Sequence, residues 1–283
     1  MSRIVYVNGK FLPEEDAKIS VFDRGFLFAD AVYEVSSVLN GKLIDNEGHM
    51  WRLKRSLDEL EMQHPASAEE IETIQKTLIE KNGIEEGLVY LQVTRGAADR
   101  DFTYPANTKP SLVMFTQKKN LLESPQAKVG ITVITSPDIR WQRRDIKTVS
   151  LLAASMAKMQ AKAAGADDAW LVEDGFVTEG SSSNAYIVTQ DGTVVTRHLG
   201  NEILAGITRK AALRLAEEEG IKIEERSFTV DEALAAAEAF VTSATTFVTP
   251  VVSIDGQKIG DGTPGPIAQK LRGIYMEEAL KAS

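Results

Sequence analysis

Lys147 stands between Ile146 and an alanine-rich stretch, Leu151 to Ala164, that has the composition of a helix. Burial at that junction would lower the pKa of the amine and free it for attack on a carbonyl, the step that forms a Schiff base. Most lysines in such a setting lie on the surface, and spacing alone does not single this one out. A second group is Thr178-Glu179-Gly180-Ser181-Ser182-Ser183-Asn184, ahead of the apolar run Ala185-Tyr186-Ile187-Val188. It reads either as a polar turn or as a carboxylate facing a cationic ring nitrogen, with hydroxyls ordering it. Gly206-Ile207-Thr208-Arg209 opens a helical stretch. Free N–H groups and the helix dipole suit a phosphate at such a place, although Thr208 could simply cap the helix. Thr242-Ser243-Ala244-Thr245-Thr246 follows Phe240-Val241 and offers either small hydroxyls for phosphate oxygens or the end of a threonine-rich strand. Two sites of arginine complete the set. Arg52 suits a phosphate if it does not face solvent. The glycine-bearing loop Thr94 to Asp101 carries Arg95 and Arg100, which suit a carboxylate.

These groups need elements to hold them. Asn8-Gly9, Asn40-Gly41, Asp174-Gly175, Asp191-Gly192 and Asp255-Gly256 fall between apolar runs. Asn-Gly and Asp-Gly favour two-residue hairpin turns, so antiparallel sheet is expected in both halves. A doubly wound parallel sheet would need a helix between successive strands. Met50, Leu53, Leu57 and Leu60 repeat at helical spacing. Ser67 with Glu70 forms a capping box for a helix that stops at Asn82-Gly83. Further helices are expected over Leu151 to Ala164, Thr208 to Glu219 and Pro266 to Leu280. With 283 residues, two domains are the better expectation. The pattern places a smaller domain at 1–117, a linker at 118–127 and a larger domain at 128–283.

Composition removes several classes of function. No cysteine is present, which excludes disulfides, thiolate metal sites and cysteine nucleophiles. The three histidines, His49, His64 and His198, form no metal-ligand pair at motif spacing. The net charge is −9 and no long basic run occurs, against a nucleic-acid surface. No apolar run is long enough for a bilayer, and the N-terminus reaches a turn at Asn8-Gly9 before a signal-peptide core could form. No GxGxxG or Walker loop follows a strand. A small-molecule partner and a cytosolic location are expected.

Taken in order, Arg52, Arg100, Lys147, the EGSSSN segment at Glu179 to Asn184, GITR at Gly206 to Arg209 and Thr242-Ser-Ala-Thr-Thr resemble the class IV aminotransferases over about residues 4 to 275. The resemblance implies an α+β, two-domain fold type IV enzyme that uses pyridoxal 5'-phosphate. Its N-terminal α/β domain would be the smaller, and its larger C-terminal domain would hold mainly antiparallel sheet. It further implies that Lys147 holds the cofactor as a Schiff base and acts as the catalytic base. Glu179 would face the pyridine nitrogen. Arg52, Ile207, Thr208, Ser243 and Ala244 would surround the phosphate, with Ser182 and Leu204 also lining the cofactor. The D-amino-acid aminotransferases within that family usually have threonine at the Ala244 position, so a hydroxyl is missing there and the backbone N–H is left as donor.

Asp30-Ala31-Val32-Tyr33-Glu34-Val35 is similar to a segment of the D-amino-acid aminotransferases, which implies substrate contacts for Tyr33 and Val35. Arg100 matches the arginine that binds the substrate carboxylate in that subgroup. A histidine two residues further on is usual there; Phe102 stands in its place, which weakens the carboxylate trap and shifts preference toward apolar substrates. The resemblance implies a homodimer working on D-alanine-like donors with 2-oxoglutarate or pyruvate as acceptor. Branched-chain L-amino-acid aminotransferase, (R)-amine transaminase and aminodeoxychorismate lyase are the alternatives on the same fold. A non-catalytic binding protein is the alternative of a different class.

Overall fold

The computed structural model describes residues 2–282. It divides into two compact units. One takes the chain through Leu121 together with Ile146–Ser150, and the other takes Leu122–Asp145 and Leu151–Lys281. The lysine segment Ile146–Ser150 thus packs with the first unit although it falls within the stretch 128–283.

The first unit is built on a six-stranded antiparallel sheet in the order Lys10–Pro13, Ile4–Val7, Ser111–Lys118, Gly87–Thr94, Ala31–Leu39, Lys42–Leu43. Successive side chains of a strand point to opposite faces. Val32, Leu91, Val93, Leu112 and Met114 therefore share one face, where they meet Met50, Leu53 and Leu57 of the helix Asn46–Glu59 and Ile71 and Leu78 of the helix Ala68–Asn82. Tyr33 and Val35 project from the other face. The Ser67 box forms as the sequence predicts: Ser67 Oγ accepts from Glu70 N–H at 3.2 Å and the Glu70 carboxylate accepts from Ser67 N–H at 2.8 Å.

The second unit holds a nine-stranded mixed sheet. Its path runs Ile223–Glu225, Val194–Thr196, Asn184–Val188, Glu238–Ser243, Phe247–Ile254, Ile131–Pro137, Asp168–Glu173, Phe176–Gly180, and Gln257–Lys258 pairs beside it on Phe247–Ile254. Three pairings are parallel, Val194–Thr196 with Ile223–Glu225, Phe247–Ile254 with Ile131–Pro137, and Ile131–Pro137 with Asp168–Glu173. The turn dipeptides do not announce these. Two of them arise where a helix, Ile207–Glu218 or Leu152–Ala163, makes the crossover between the paired strands. The core gathers Trp170, Val177, Ile187, Phe228, Val241 and Ile254. Trp170 and Phe228 meet edge to face at 6.0 Å, and Tyr186 stacks on Phe240 at 4.4 Å.

Four of the five turn dipeptides have positive φ at both residues: Asn8-Gly9, Asn40-Gly41, Asp174-Gly175 and Asp255-Gly256. Asp191-Gly192 differs. Only Gly192 is left-handed there, with φ 85°, because the Asp191 carboxylate accepts from Thr193 and Thr189 and closes a longer loop. Residues 117–127, featureless in sequence, contain the end of the Ser111–Lys118 strand and the start of a short helix, Pro125–Val129. Among the described residues no helix is long and apolar enough to cross a membrane.

Ser67→Ala removes one half of the box and leaves a first-turn N–H without its acceptor. It should cost about 1 kcal/mol, read as a lower midpoint in urea unfolding. An unchanged midpoint would contradict a formed box.

Candidate active site

In the first unit, Lys147 is placed by backbone pairing. Tyr33 N–H donates to Lys147 C=O at 3.0 Å and Val149 N–H donates to Ala31 C=O at 3.1 Å, so Thr148 bridges to Val32 as in an antiparallel strand. Lys147 N–H reaches Ser56 Oγ at 3.3 Å. The lysine side chain is half-buried, and its Nζ lies 4.2 Å from the centre of the Tyr33 ring. Tyr33 stacks on Tyr90 at 5.6 Å, and Tyr90 on Phe115 at 4.7 Å. Burial, aided by Tyr33, pushes the Tyr90 hydroxyl up to about 12, so it stays protonated and donates to Gln92 Oε1 at 2.8 Å. Val35 sits opposite Tyr90 in the register. The structure thus brings three of the sequence-selected residues, Tyr33, Val35 and Lys147, to one patch floored by aromatic rings.

Arg52 is not on a solvated helix face; it is 4% exposed. Its Nε and NH2 donate to the two oxygens of Glu34, each at 2.7 Å, and His49 Nδ1 lies 2.7 Å from the same carboxylate. Burial works to raise the Glu34 carboxyl, but Arg52 and His49 overcome it and hold the group at about 2. Glu34 and His49 were not singled out in the sequence. The available signal was the placement of Glu34 one residue from Tyr33 on a strand, which turns it to the helix-packed face, where an unpaired carboxylate is untenable. Arg100 and Phe102 lie in the loop after Gly87–Thr94. Both are exposed, Phe102 by 78%, and the Arg100 guanidinium lies 5.3 Å from the centres of both the Phe28 and the Phe102 rings.

In the second unit, Glu179 lies on the strand Phe176–Gly180 and is 4% exposed. Its Oε1 accepts from Arg140 NH1 at 2.5 Å. Its Oε2 accepts from Asn184 Nδ2 at 3.0 Å and from Leu204 N–H at 3.2 Å. Burial raises the carboxyl above its usual range against the pull of Arg140. Arg140 in turn forks onto Asp138, with Nε 2.9 Å from Oδ1 and NH2 2.7 Å from Oδ2. Arg140 and Asp138 escaped the sequence reading. The alternation of arginine and aspartate in Asp138-Ile-Arg-Trp-Gln-Arg-Arg-Asp145 was the trace they left.

Asn184 joins Glu179 to the Leu204–Gly206 and Thr242–Ser243 segments. Its Nδ2 also donates to Leu204 C=O at 2.9 Å, and it pairs across the sheet with Thr242, next to Ser243. A Cβ on Gly206 would meet Asn184 Oδ1 at 2.1 Å, so only glycine allows this approach. Helix Ile207–Glu218 starts at Gly206, not at a threonine cap, and among the described residues no side chain caps it. Its first-turn N–H groups have no intrahelical acceptor, the arrangement that suits an anion. Thr208 is buried beside Ile207. Ser243 ends its strand with Oγ 2.8 Å from Thr246 Oγ1, Ala244 follows in the turn, and Ser182 is exposed at the tip of the Glu179 loop. Glu179, Leu204, Gly206 and Asn184 are in direct contact, while Ser182 touches none of them through a hydrogen bond among those described.

The amino-transferase class IV family matches residues 31–254. The chain belongs to the class IV aminotransferases. It is 41% identical to a D-alanine aminotransferase of Bacillus licheniformis over 98% of this chain and 97% of the relative, and 39% identical to one of Staphylococcus aureus strain N315 over 95% of each. Among solved structures, a T.th. branched-chain amino acid aminotransferase with pyridoxamine 5'-phosphate superposes with a TM-score of 0.91 at 29% identity, covering 100% of this chain and 96% of that one. This class IV aminotransferase is therefore an α+β, fold type IV enzyme, and its cofactor is pyridoxal 5'-phosphate. The residues present fit that group: an uncapped helix start for an anion, a buried carboxylate for a ring cation, and a lysine amine on an aromatic patch.

Glu34 also makes stability depend on pH. Its carboxyl is depressed from 4.5 to about 2, so its contribution is complete above pH 4.5 and is lost as pH falls toward 2. The shift corresponds to roughly 3 kcal/mol. The stability gap between wild type and Glu34→Gln in urea unfolding should be widest above pH 4.5 and narrow as acid is added. A gap that does not change with pH would refute the ionised Glu34–Arg52 pair.

Proposed function

We propose that this enzyme transaminates D-amino acids, with D-alanine-like donors and 2-oxoglutarate or pyruvate as acceptor, and that it works as a cytosolic homodimer. The reading is carried by the 41% identity with a D-alanine aminotransferase over 98% of the chain. The Lys147–Tyr33 contact supports it, because it puts an amine beside a ring on the strand the subgroup uses for substrate.

Each residue then has a role. Lys147 would hold the cofactor through its amine, and the same amine would be the base that takes and returns the proton at the substrate Cα. When bound, the cofactor would supply the electron sink for that proton loss. Tyr33 and Val35 border the substrate. Glu179, held by Arg140, Asn184 and Leu204 N–H, presents a carboxylate to the pyridine nitrogen. Arg52, Ile207, Thr208, Ser243 and Ala244 would hold the phosphate, and Ser182 and Leu204 would line the cofactor. Arg100 takes the substrate carboxylate through paired N–H groups. Phe102 lacks the polar tip of a histidine and so moves preference toward apolar side chains.

Borohydride should trap the cofactor covalently on wild type and fail on Lys147→Ala, whose turnover should fall at least about a thousandfold. Trapping retained in the variant would exclude Lys147. The donor is decided by mixing wild-type holoenzyme with D-alanine or L-leucine and following the cofactor absorbance. Rapid loss with D-alanine alone supports the proposal; faster loss with L-leucine moves the enzyme to a branched-chain activity.

A further inference from the structure

We propose that Arg24 is a positioning residue: it clamps the Arg100 loop and so holds the substrate-carboxylate receptor in place. The proposal rests on the reading of Arg100 as that receptor. Arg24 is 2% exposed and opens the short helix Arg24–Phe28, whose N-cap Asp23 accepts from Gly25 N–H at 2.8 Å. The guanidinium works in three directions. Nε donates to Asp30 Oδ2 at 2.8 Å. NH1 donates to the backbone carbonyls of Asp101 at 2.6 Å and Thr103 at 3.4 Å, directly after Arg100. Its carbon lies 4.5 Å over the Phe28 ring, and that same ring lies 5.3 Å from the Arg100 guanidinium and 5.6 Å from Phe102. Arg24 N–H also donates to Gly96 C=O at 2.9 Å, at the root of the loop. One buried side chain thus grips the backbone after Arg100 and packs on a ring against which Arg100 rests.

Arg24 has its carboxylate partner without Arg100. Asp30 Oδ2 also accepts from Arg95 Nε at 2.7 Å, and Arg95 donates to the carbonyls of Leu60 and Glu61 and covers the Tyr104 ring at 3.6 Å. Two buried arginines therefore share one carboxylate, and each also donates to backbone carbonyls and lies over an aromatic ring. The consequence for binding is entropic. An exposed loop that carries a carboxylate receptor must be ordered when substrate arrives, and a loop already ordered by Arg24 avoids that loss. Lysine cannot replace the fork, because an ammonium is a single point of donors on a flexible stem.

Arg24→Lys and Arg24→Gln test this, since Asp30 keeps Arg95 as partner in both. On holoenzyme, each should raise the KM for D-alanine about tenfold while kcat stays within about twofold, and trypsin should cut the Arg100–Asp101 bond several-fold faster than in wild type, as read by mass spectrometry. Unchanged KM and cleavage rate in folded variants overturn the proposal, and so does a fall of kcat in step with a lower melting temperature. Arg100→Gln is measured alongside. If it leaves the KM untouched, the carboxylate reading fails, and the cleavage rate still decides whether Arg24 holds the loop. If neither Arg24 variant folds, hydrogen exchange of residues 97–104 in wild type decides, Thr103 set aside because its own N–H donates to Asp101 Oδ1 at 2.9 Å: slowed exchange across the rest of the loop supports the clamp, and exchange at the rate of an unstructured peptide overturns it.

Discussion

A backbone pairing, not a side-chain contact, places the Lys147 amine. Residues 147–149 run against Ala31–Tyr33 with bonds of 3.0 and 3.1 Å on either side of the Thr148–Val32 bridge. Main-chain groups inside a protein must find partners, and this pairing satisfies Lys147 C=O and Val149 N–H while it joins the lysine segment to the sheet of the first unit. Strand alternation then does the rest. Val32 goes to the core, Tyr33 goes to the opposite face, and the lysine amine comes to rest over the Tyr33 ring.

The same alternation explains the buried charges. Glu34, next along the strand from Tyr33, must point to the helix-packed face, where an isolated carboxylate would be costly. Arg52 and His49, three residues apart on the helix Asn46–Glu59, meet it there. Arg24 and Arg95 meet on Asp30, Arg140 joins Asp138 to Glu179, and Arg144 forks onto Glu173 at 2.8 and 2.7 Å. In each case an arginine supplies planar, directional donors that a lysine could not. Removing one partner from such a set leaves a buried charge, so these groups hold position through the penalty for breaking them more than through any net gain from forming them.

Asn184 plays the corresponding part for neutral groups. It donates to the Glu179 carboxylate and to Leu204 C=O, and it crowds Gly206 so closely that no side chain fits there. The orientation of the carboxylate and the start of the Ile207–Glu218 helix are therefore coupled through one amide. The helix begins at a glycine with no side-chain cap among the described residues, and so its first turn keeps the electropositive end that a capping threonine would have covered.

The sequence alone determined the local features. Ser67 with Glu70 specified a helix start because both partners of a capping box are three residues apart. Asn8-Gly9, Asn40-Gly41, Asp174-Gly175 and Asp255-Gly256 specified tight turns because their backbones accept positive φ. The order of Lys147, Glu179 to Asn184 and Gly206 to Arg209 marked the family, which the match over residues 31–254 establishes. What the sequence could not express was contact between distant residues. Arg52 could have faced water until Glu34 was folded beneath it, and Arg140, beside Asp138 in the sequence, showed no link to Glu179, 39 residues on, until the fold brought the two within reach. The parallel strand pairs were hidden for the same reason, since a crossover is defined by where a helix returns the chain and not by any dipeptide. Local propensity acts over three or four residues, whereas burial and charge pairing are decided by neighbours that only the folded chain brings together.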